Sequence, residues 1–157
     1  MTDTRPSVPS LILRCGECLT LNRVPRERVR GGPKCGKCKK PLMVPTEPLW
    51  IRADAFDFAV ANWPETLLVV FIAPLCVQCR IYEPVLNELA RERAGMLKVL
   101  KVDLETDPSL GKRFKVEKTP TFLFYKDAVD VLRVDGPPKA KADLVTWVNN
   151  ITGYTSF

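Results

Sequence analysis

Six cysteines and no histidine, grouped as three Cys-x-x-Cys pairs, constrain the fold of this 157-residue chain more than any other feature. Two pairs, at 15–18 and 35–38, have 16 residues between their inner cysteines, a spacing typical of a metal site with four thiolate ligands. The third pair, at 76–79, stands alone after an apolar run. The first two pairs therefore indicate a structural metal centre, and the third indicates a redox-active dithiol.

The two N-terminal pairs predict one zinc ion held by four cysteines. Protein sulfurs would fill all four tetrahedral positions, so no position remains for substrate or water and the site is expected to be structural. A glycine follows the first cysteine of each pair and suits a tight turn. Iron of the rubredoxin type, an iron–sulfur centre and two disulfides are the alternatives. The expected metal ligands are Cys15, Cys18, Cys35 and Cys38.

Composition places the chain among globular proteins, because 46% of its residues are apolar. The first residues contain no apolar run of signal-peptide length, and no segment approaches the roughly 20 apolar residues of a membrane helix. We therefore expect a soluble protein in the reducing cytoplasm, with no membrane partner. In such a compartment, paired cysteines are more often metal ligands or catalytic groups than structural disulfides.

The net charge of +6 belongs entirely to the N-terminal part of the chain. Ten basic and four acidic side chains lie in residues 1–47, whereas residues 48–157 are neutral overall. Zinc with four thiolates carries a charge of about −2, so part of this excess neutralises the metal site. Local compensation is favoured over a nucleic-acid surface, and we do not expect a nucleic-acid partner.

Proline and apolar residues divide the chain into two units. Seven of the 14 prolines lie in the first 48 residues, and KKPLMVPTEPLW has the composition of an extended connector. We predict a flexible N-terminus at 1–10, a zinc ribbon at 11–44, a linker at 45–48 and a second domain at 49–157. The ribbon has too few large apolar side chains for a core of its own, which strengthens the case for a metal.

Strand and helix patterns alternate after the linker. The run TLLVVFIA indicates a strand buried on both faces, and helical spacing extends from Val77 to about Ala94 despite Pro84. An earlier helix, ADAFDFAVAN, has Asp54 as its expected N-cap. Two late strands, TFLFY and DVLRV, predict a meander. The pattern indicates an α/β fold with a mixed sheet covered by helices on both faces.

The third cysteine pair occupies the junction between the central strand and the helix that follows it. A thiolate at Cys76 would face the unpaired N–H groups and the positive end of that helix, which makes it a nucleophile at neutral pH. Cys79 lies one turn later and is more shielded. We therefore predict that Cys76 attacks disulfides and that Cys79 resolves the mixed disulfide. Two core cysteines, or a metal-binding pair, are the alternatives.

Residues 49–152 resemble a thioredoxin. The match includes the motif AP-x-C-x-x-CR at 73–80, the helix-kinking Pro84, the segment TPTFLFYKD at 119–127 and Gly136. Together with the preceding ribbon, the whole chain is similar to the zinc-ribbon type of bacterial cytosolic thioredoxin, thioredoxin 2 or C. The resemblance implies a thioredoxin fold preceded by a zinc ribbon.

The resemblance also implies a function, namely a protein disulfide oxidoreductase that serves electron transport and cell redox homeostasis. Its partners would be client proteins with disulfides and a thioredoxin reductase as electron donor, and the redox step would need no cofactor beyond the Cys76–Cys79 disulfide. Pro120 is expected to be cis, and Lys101 matches a lysine of the family's active site. An apolar substrate collar is expected from Leu75, Val77, Thr119 and Gly136.

Two positions depart from the family's pattern. The usual Trp-Cys-Gly-Pro-Cys is replaced by LCVQC at 75–79, for which we expect a less reducing pair. Val70 stands where the family has a buried aspartate, which leaves Lys101 facing solvent or paired with another acid such as Asp103 or Glu105. Without that aspartate, resolution by the second cysteine should be slower near neutral pH and should respond strongly to alkaline pH.

The competing function is a zinc-ribbon binding or chaperone-like module that contacts nucleic acid or protein and carries a weakened redox pair. The intact cysteine pair and the Thr-Pro motif favour catalysis, whereas Val70 and the dipeptide Val77-Gln78 weigh against it. No tryptophan flanks the cysteine pair. The three tryptophans are expected to be core or packing residues: Trp50, Trp63 and Trp147.

Overall fold

The computed structural model describes residues 10–154, which form a small hairpin followed by a five-stranded mixed sheet. The expected flexible N-terminus, 1–10, lies outside the described residues except for Ser10. In chain order the elements are β1 (Ser10–Arg14), β2 (Leu21–Pro25), a 3-10 helix (Arg26–Arg28), β3 (Leu49–Trp50), α1 (Ala53–Asn62), β4 (Thr66–Ile72), α2 (Val77–Glu92), β5 (Leu97–Asp103), α3 (Pro108–Arg113), β6 (Thr121–Lys126), β7 (Val129–Asp135) and α4 (Lys141–Thr152).

The large sheet has the strand order β3-β5-β4-β6-β7. Strands β3, β5 and β4 run parallel, and β6 and β7 are added antiparallel. β4 lies at the centre, and its residues are buried up to Ile72. This arrangement confirms the predicted mixed sheet.

Helices cover both faces of the sheet, as the sequence predicted. Alternate side chains of β4 point to opposite faces. Leu68 and Val70 pack beneath α2 and α4, whereas Val69 and Phe71 pack beneath α1 and α3. The same alternation places Lys101 of β5 on the α2 side, two residues after the buried Val99.

The hairpin of β1 and β2 has a small core of its own and packs against the larger part of the chain. The Arg14 Nε donates a hydrogen bond to the carbonyl of Asn62 at the end of α1, at 2.6 Å. The Arg30 guanidinium donates to the carbonyl of Arg91 near the end of α2, also at 2.6 Å. The buried residues of this core are Leu13, Cys15, Val24, Val29, Cys35 and Leu42.

Helix α1 spans the predicted segment ADAFDFAVAN but is capped from elsewhere in the chain. Arg52 occupies the N-cap position and Asp54 lies inside the first turn, so the expectation of Asp54 as N-cap was wrong. The backbone N–H of Ala53 instead donates to the carboxylate of Asp107, at 2.7 Å. A side chain 54 residues away thus satisfies one of the free amides of the helix terminus.

Candidate active site and metal centre

The third cysteine pair lies where β4 gives way to α2. Cys76 is the N-cap residue of α2, and its Sγ accepts a hydrogen bond from the backbone N–H of Cys79 at 3.0 Å. The two residues form a disulfide, with their Cα atoms 5.2 Å apart. Cys76 is half-buried, whereas Cys79 is only 8% exposed. The first sulfur is thus the more accessible of the two.

Strand register brings three further predicted site residues, Thr119, Pro120 and Gly136, to this end of the sheet. Thr121, the first residue of β6, pairs with Phe71 near the end of β4 and with Asp135 at the end of β7. The segment 119–120 immediately precedes β6, and Gly136 immediately follows β7. All of them therefore lie at the end of the sheet where β4 leads into the cysteine pair.

The residues expected to surround the active site differ in exposure. The Thr119–Pro120 peptide bond is cis, as the resemblance implied, and Pro120 is buried. Gly136 is buried as well and has a φ of +82°, a conformation that favours glycine. Leu75 is 91% exposed and Val77 is 66% exposed. Two large apolar side chains therefore project into solvent on either side of the first cysteine.

A cavity of about 200 Å³ lies behind the cysteine pair, and Cys79 forms part of its wall. Glu83, Lys101 and Trp50 line the same cavity. The Lys101 Nζ lies 3.9 Å from the Glu83 Oε1 and 4.2 Å from the centroid of the Trp50 ring. The lysine side chain is only 13% exposed. The cavity thus combines one cysteine of the disulfide with an ion pair.

Lys101 pairs with another acid, as one of the two expectations had it, but this acid is Glu83, so the examples Asp103 and Glu105 were wrong. Asp103 lines the cavity too, but its Oδ1 accepts hydrogen bonds from the backbone N–H of Glu105 at 2.8 Å and of Thr106 at 3.4 Å. Its carboxylate therefore closes the turn after β5, and Lys101 turns toward α2.

Two residues of this cavity were missed by the sequence analysis. Glu83 follows Cys79 by four residues, a helical spacing that places both on one face and could have been noticed. Trp50 was expected to be a core or packing residue. It lies outside the core, at 60% exposed, but its ring packs against Lys101, with which it pairs in register across β3 and β5. An edge strand of two residues gives no periodic signal. Trp63 and Trp147 pack against the two cores, as expected.

The four N-terminal cysteines lie together and are free thiols. All four sulfurs lie within 4.8 Å of one another, with Cys15 and Cys38 at 3.6 Å and Cys18 and Cys35 at 3.6 Å. A tetrahedral zinc ion with Zn–S bonds of about 2.3 Å requires sulfurs about 3.8 Å apart. The donor set and its spacing therefore fit zinc.

The turns of the two knuckles depend on residues other than their glycines. Leu19 and Lys39, each four residues after the first cysteine of its pair, have φ values of 64° and 67°. Gly16 and Gly36 do not have positive φ. The expectation that these glycines shape the turns was therefore wrong, and the left-handed residue comes after the second cysteine instead.

Backbone amides surround the sulfurs. The N–H groups of Glu17 and Lys37 point to the Sγ atoms of Cys15 and Cys35, each at 3.4 Å. A hydrogen bond from the backbone of Cys38 is the main cause that lowers the pKa of Cys35 to about 6. At Cys35 the amide dipoles thus favour the thiolate form that a metal ligand needs, whereas burial and the neighbouring cysteine side chains raise the pKa of Cys38 to about 11.

Comparison with known proteins matches both parts of the chain. A family model described as Thioredoxin matches residues 47–150, and one described as Thioredoxin 2, N-terminal, a zinc ribbon, matches residues 14–40. The chain belongs to the thioredoxin family. It is a protein disulfide oxidoreductase with a thioredoxin fold and an N-terminal zinc ribbon, as its sequence indicated.

Individual relatives agree with this assignment. Thioredoxin C-3 of Corynebacterium nephridii is 27% identical over 139 residues, which are 88% of this chain and 94% of that protein. Thioredoxin of Mycobacterium bovis is 38% identical over 97 residues, 62% of this chain and 81% of that protein. A mutant thioredoxin from Halobacterium salinarum superposes with a TM-score of 0.63 at 23% identity and covers 73% of this chain and 98% of its own, which supports the fold. Among the described residues, no helix is long and apolar enough to cross a membrane.

Proposed function

We propose that Cys76 is the attacking nucleophile of this thioredoxin and that Cys79 is the resolving thiol. The observation that carries this proposal is the disulfide at the N-terminus of α2, whose first sulfur is the more exposed. The Cys76 thiolate bonds to one sulfur of a client disulfide and the other sulfur leaves as a thiolate. The Cys79 thiolate then bonds to the Cys76 Sγ and releases the second client thiol, so the client gains the two electrons that the cysteine pair loses.

We propose that the apolar rim of this site holds the client protein. Thr119, before the cis Pro120, would pair its backbone with an extended client segment, and Gly136, next to it across β6 and β7, would leave room for that segment. The exposed Leu75 and Val77 would contact apolar client side chains. Main-chain pairing and unspecific apolar contact suit many clients rather than one.

We propose that a thioredoxin reductase supplies the electrons and that the protein acts in the cytoplasm, in electron transport and redox homeostasis. One relative, from Mycobacterium leprae, is named a bifunctional thioredoxin reductase/thioredoxin and is 34% identical over 99 residues. The four free ribbon cysteines are consistent with a reducing compartment.

We propose that the ribbon holds one structural zinc ion through Cys15, Cys18, Cys35 and Cys38. Sulfur–sulfur distances close to those around a tetrahedral zinc ion, and backbone amides that face the sulfurs, support this assignment. The metal would take no part in the redox step and would replace a hydrophobic core in the small ribbon. We also propose the domain boundaries that the sequence indicated, with the ribbon at 11–44, the linker at 45–48 and the thioredoxin domain at 49–157.

Trapping of clients tests the proposed roles. The Cys79→Ser variant should accumulate mixed disulfides on Cys76 when it is mixed with cell extract, because the captured client cannot be displaced. The double variant Cys76→Ser/Cys79→Ser is the matched control and should trap nothing. Adducts would be counted on non-reducing gels and their cysteine identified by mass spectrometry. Equal adducts in the two variants would contradict the roles, and no adducts in either would favour a binding module.

A further inference from the structure

Release of a trapped client requires a proton acceptor for Cys79. The thiol is 8% exposed, and a thiol must become a thiolate before it can attack the mixed disulfide. Val70, directly beneath the helix, is apolar and buried and pairs in register with Lys101. The sheet therefore offers no carboxylate at that position.

We propose that Glu83 accepts the proton of Cys79, through water in the cavity that the two residues share, and that Lys101 positions the Glu83 carboxylate. The inference deepens the proposed function, since it rests on Cys79 as the resolving thiol. Glu83 would act on the reacting sulfur through water, and Lys101 would act through Glu83 as a positioning residue.

Helix geometry places the thiol and the carboxylate side by side. Residues 79 and 83 are separated by one turn of α2, so their Cβ atoms are about 5–6 Å apart on one face. Both side chains line the cavity of about 200 Å³. Because one water occupies about 30 Å³, the cavity has room for a short water chain between the two groups.

The difference in solvent exposure between Cys79 and Glu83 sets the direction in which the proton leaves the site. Cys79 is nearly closed off from solvent, whereas the Glu83 side chain is 57% exposed. A proton taken up by the carboxylate can therefore pass on to bulk water. Glu83 connects a buried thiol with the outside of the molecule.

The ion pair holds the carboxylate at the mouth of the cavity. Lys101 has little freedom of its own, because its side chain is 13% exposed and its Nζ lies against the Trp50 ring. The Nζ in turn lies 3.9 Å from the Glu83 Oε1. A strand residue thus contacts the carboxylate of a helix residue, and both line the cavity that Cys79 also lines.

The proposed step balances in protons and electrons. The Cys79 thiol gives its proton to the Glu83 carboxylate, and the resulting thiolate bonds to the Cys76 Sγ. The bond between Cys76 and the client sulfur breaks, and the client leaves as a thiolate. That thiolate takes a proton from the Glu83 carboxylic acid, or it takes one from solvent while Glu83 releases its own to bulk water. Either route returns Glu83 to its starting form.

Single-turnover kinetics separate this step from the first one. The full-length reduced protein is mixed with one equivalent of a symmetric aromatic disulfide that releases one coloured thiolate on attack by Cys76 and a second on resolution by Cys79. For Glu83→Gln we expect an unchanged first phase and, at about pH 7, a second phase at least tenfold slower. Its rate should then rise about tenfold per pH unit, because hydroxide replaces the lost acceptor.

Two comparisons distinguish proton acceptance from structural damage. Glu88→Gln, an exposed residue of the same helix, is the matched control and should resolve like the parent protein. Lys101→Met should slow the second phase less than Glu83→Gln does, and Lys101→Arg should restore it.

Several outcomes would overturn the inference. The inference would be overturned if the second phase of Glu83→Gln had the parent's rate at about pH 7 and the parent's pH profile. Equal slowing in Glu88→Gln, or a loss found with Asp103→Asn but not with Glu83→Gln, would also do so. Absence of the first phase in the parent protein is different, because it would mean that Cys76 does not attack and would remove the proposed function together with this inference.

Discussion

A buried ion pair lies on the opposite face of the sheet from the active site. The Lys98 Nζ lies 3.8 Å from the Glu65 Oε1 and 3.0 Å from the centroid of the Trp63 ring. Among the described residues, the second carboxylate oxygen, Glu65 Oε2, has no hydrogen-bond partner. Burial raises the pKa of Glu65 and lowers the pKa of Lys98 to about 8. Both shifts show that the desolvation penalty of the two charged groups exceeds the stabilisation that their mutual attraction provides.

Removal of one partner and removal of both should therefore have opposite consequences. Lys98→Met leaves a buried carboxylate without a countercharge, and we expect a loss of about 3–5 kcal/mol in the free energy of unfolding. Lys98→Met combined with Glu65→Leu should be neutral or more stable than the parent by about 1–4 kcal/mol. Urea titration of the parent, the single variants and the double variant measures this. A double variant as unstable as Lys98→Met would contradict the prediction.

The same pair predicts a rise of stability at alkaline pH. Between its folded pKa of about 8 and its ordinary value of 10.5, Lys98 is neutral in the folded protein and protonated in the unfolded chain. The unfolded state therefore binds more protons, and stability rises with pH across this window. Unfolding of the parent and of the double variant should be compared at about pH 8 and about pH 10. Between these two pH values, the free energy of unfolding should rise more for the parent than for the double variant. An equal response of both proteins would contradict the lowered pKa of Lys98.

At the scale of elements, Asp107 joins two helices. It is the N-cap residue of α3, its Oδ2 accepts from the N–H of Ala53 in α1, and its Oδ1 accepts from the Ser109 hydroxyl at 2.6 Å. The hydrogen bond from Ser109, followed by that from Ala53, lowers the pKa of Asp107. The interaction should therefore be complete above the ordinary aspartate pKa and should weaken as pH falls through the folded value.

Asp107→Ala should destabilise α1, whose first N–H loses its acceptor, and should leave the Ser109 hydroxyl in the first turn of α3 without its carboxylate partner. We expect the midpoint of thermal unfolding to fall by about 4–8 °C at neutral pH. Asp54→Ala is the matched control, since Asp54 lies in the first turn of α1 without acting as its cap, and it should lower the midpoint less. A larger effect of Asp54→Ala would contradict the prediction, because it would show that the start of α1 depends on Asp54 more than on Asp107.

The contrast between Asp54 and Asp107 shows what could be predicted from the sequence. The strand of β4, the helix behind Cys76 and the four-sulfur site followed from spacing along the chain, because local patterns carry them. The cap of α1 and the ion pair of Lys101 involve partners distant in sequence, and their identity depends on how strands and helices pack. Glu83 is an intermediate case, because its helical spacing from the resolving cysteine was visible but its lysine was not.

At the scale of the whole molecule, the zinc ribbon is attached to the thioredoxin domain by a close contact at Gly95. This residue has a φ of +86°, and a Cβ there would lie 2.8 Å from the Leu11 Cδ1 and 2.9 Å from the Val29 Cγ1. The ribbon's own core has six buried residues, and two of them, Cys15 and Cys35, belong to the four proposed metal ligands. We therefore expect the ribbon to depend on its proposed metal, whereas the thioredoxin domain has two larger cores that contain none of the four cysteines.

Removal of zinc should consequently unfold the ribbon and spare the domain. With a strong chelator, we expect amide hydrogen exchange to lose its protection in β1 and β2 and to keep it in β4 and β6, because a unit of under about 40 residues rarely folds without its metal. Cys38→Ser without chelator is the matched control and should reproduce the pattern. Loss of protection in β4 would show that the domain needs the ribbon, and retained protection in β1 would show that the ribbon folds on its six buried residues alone.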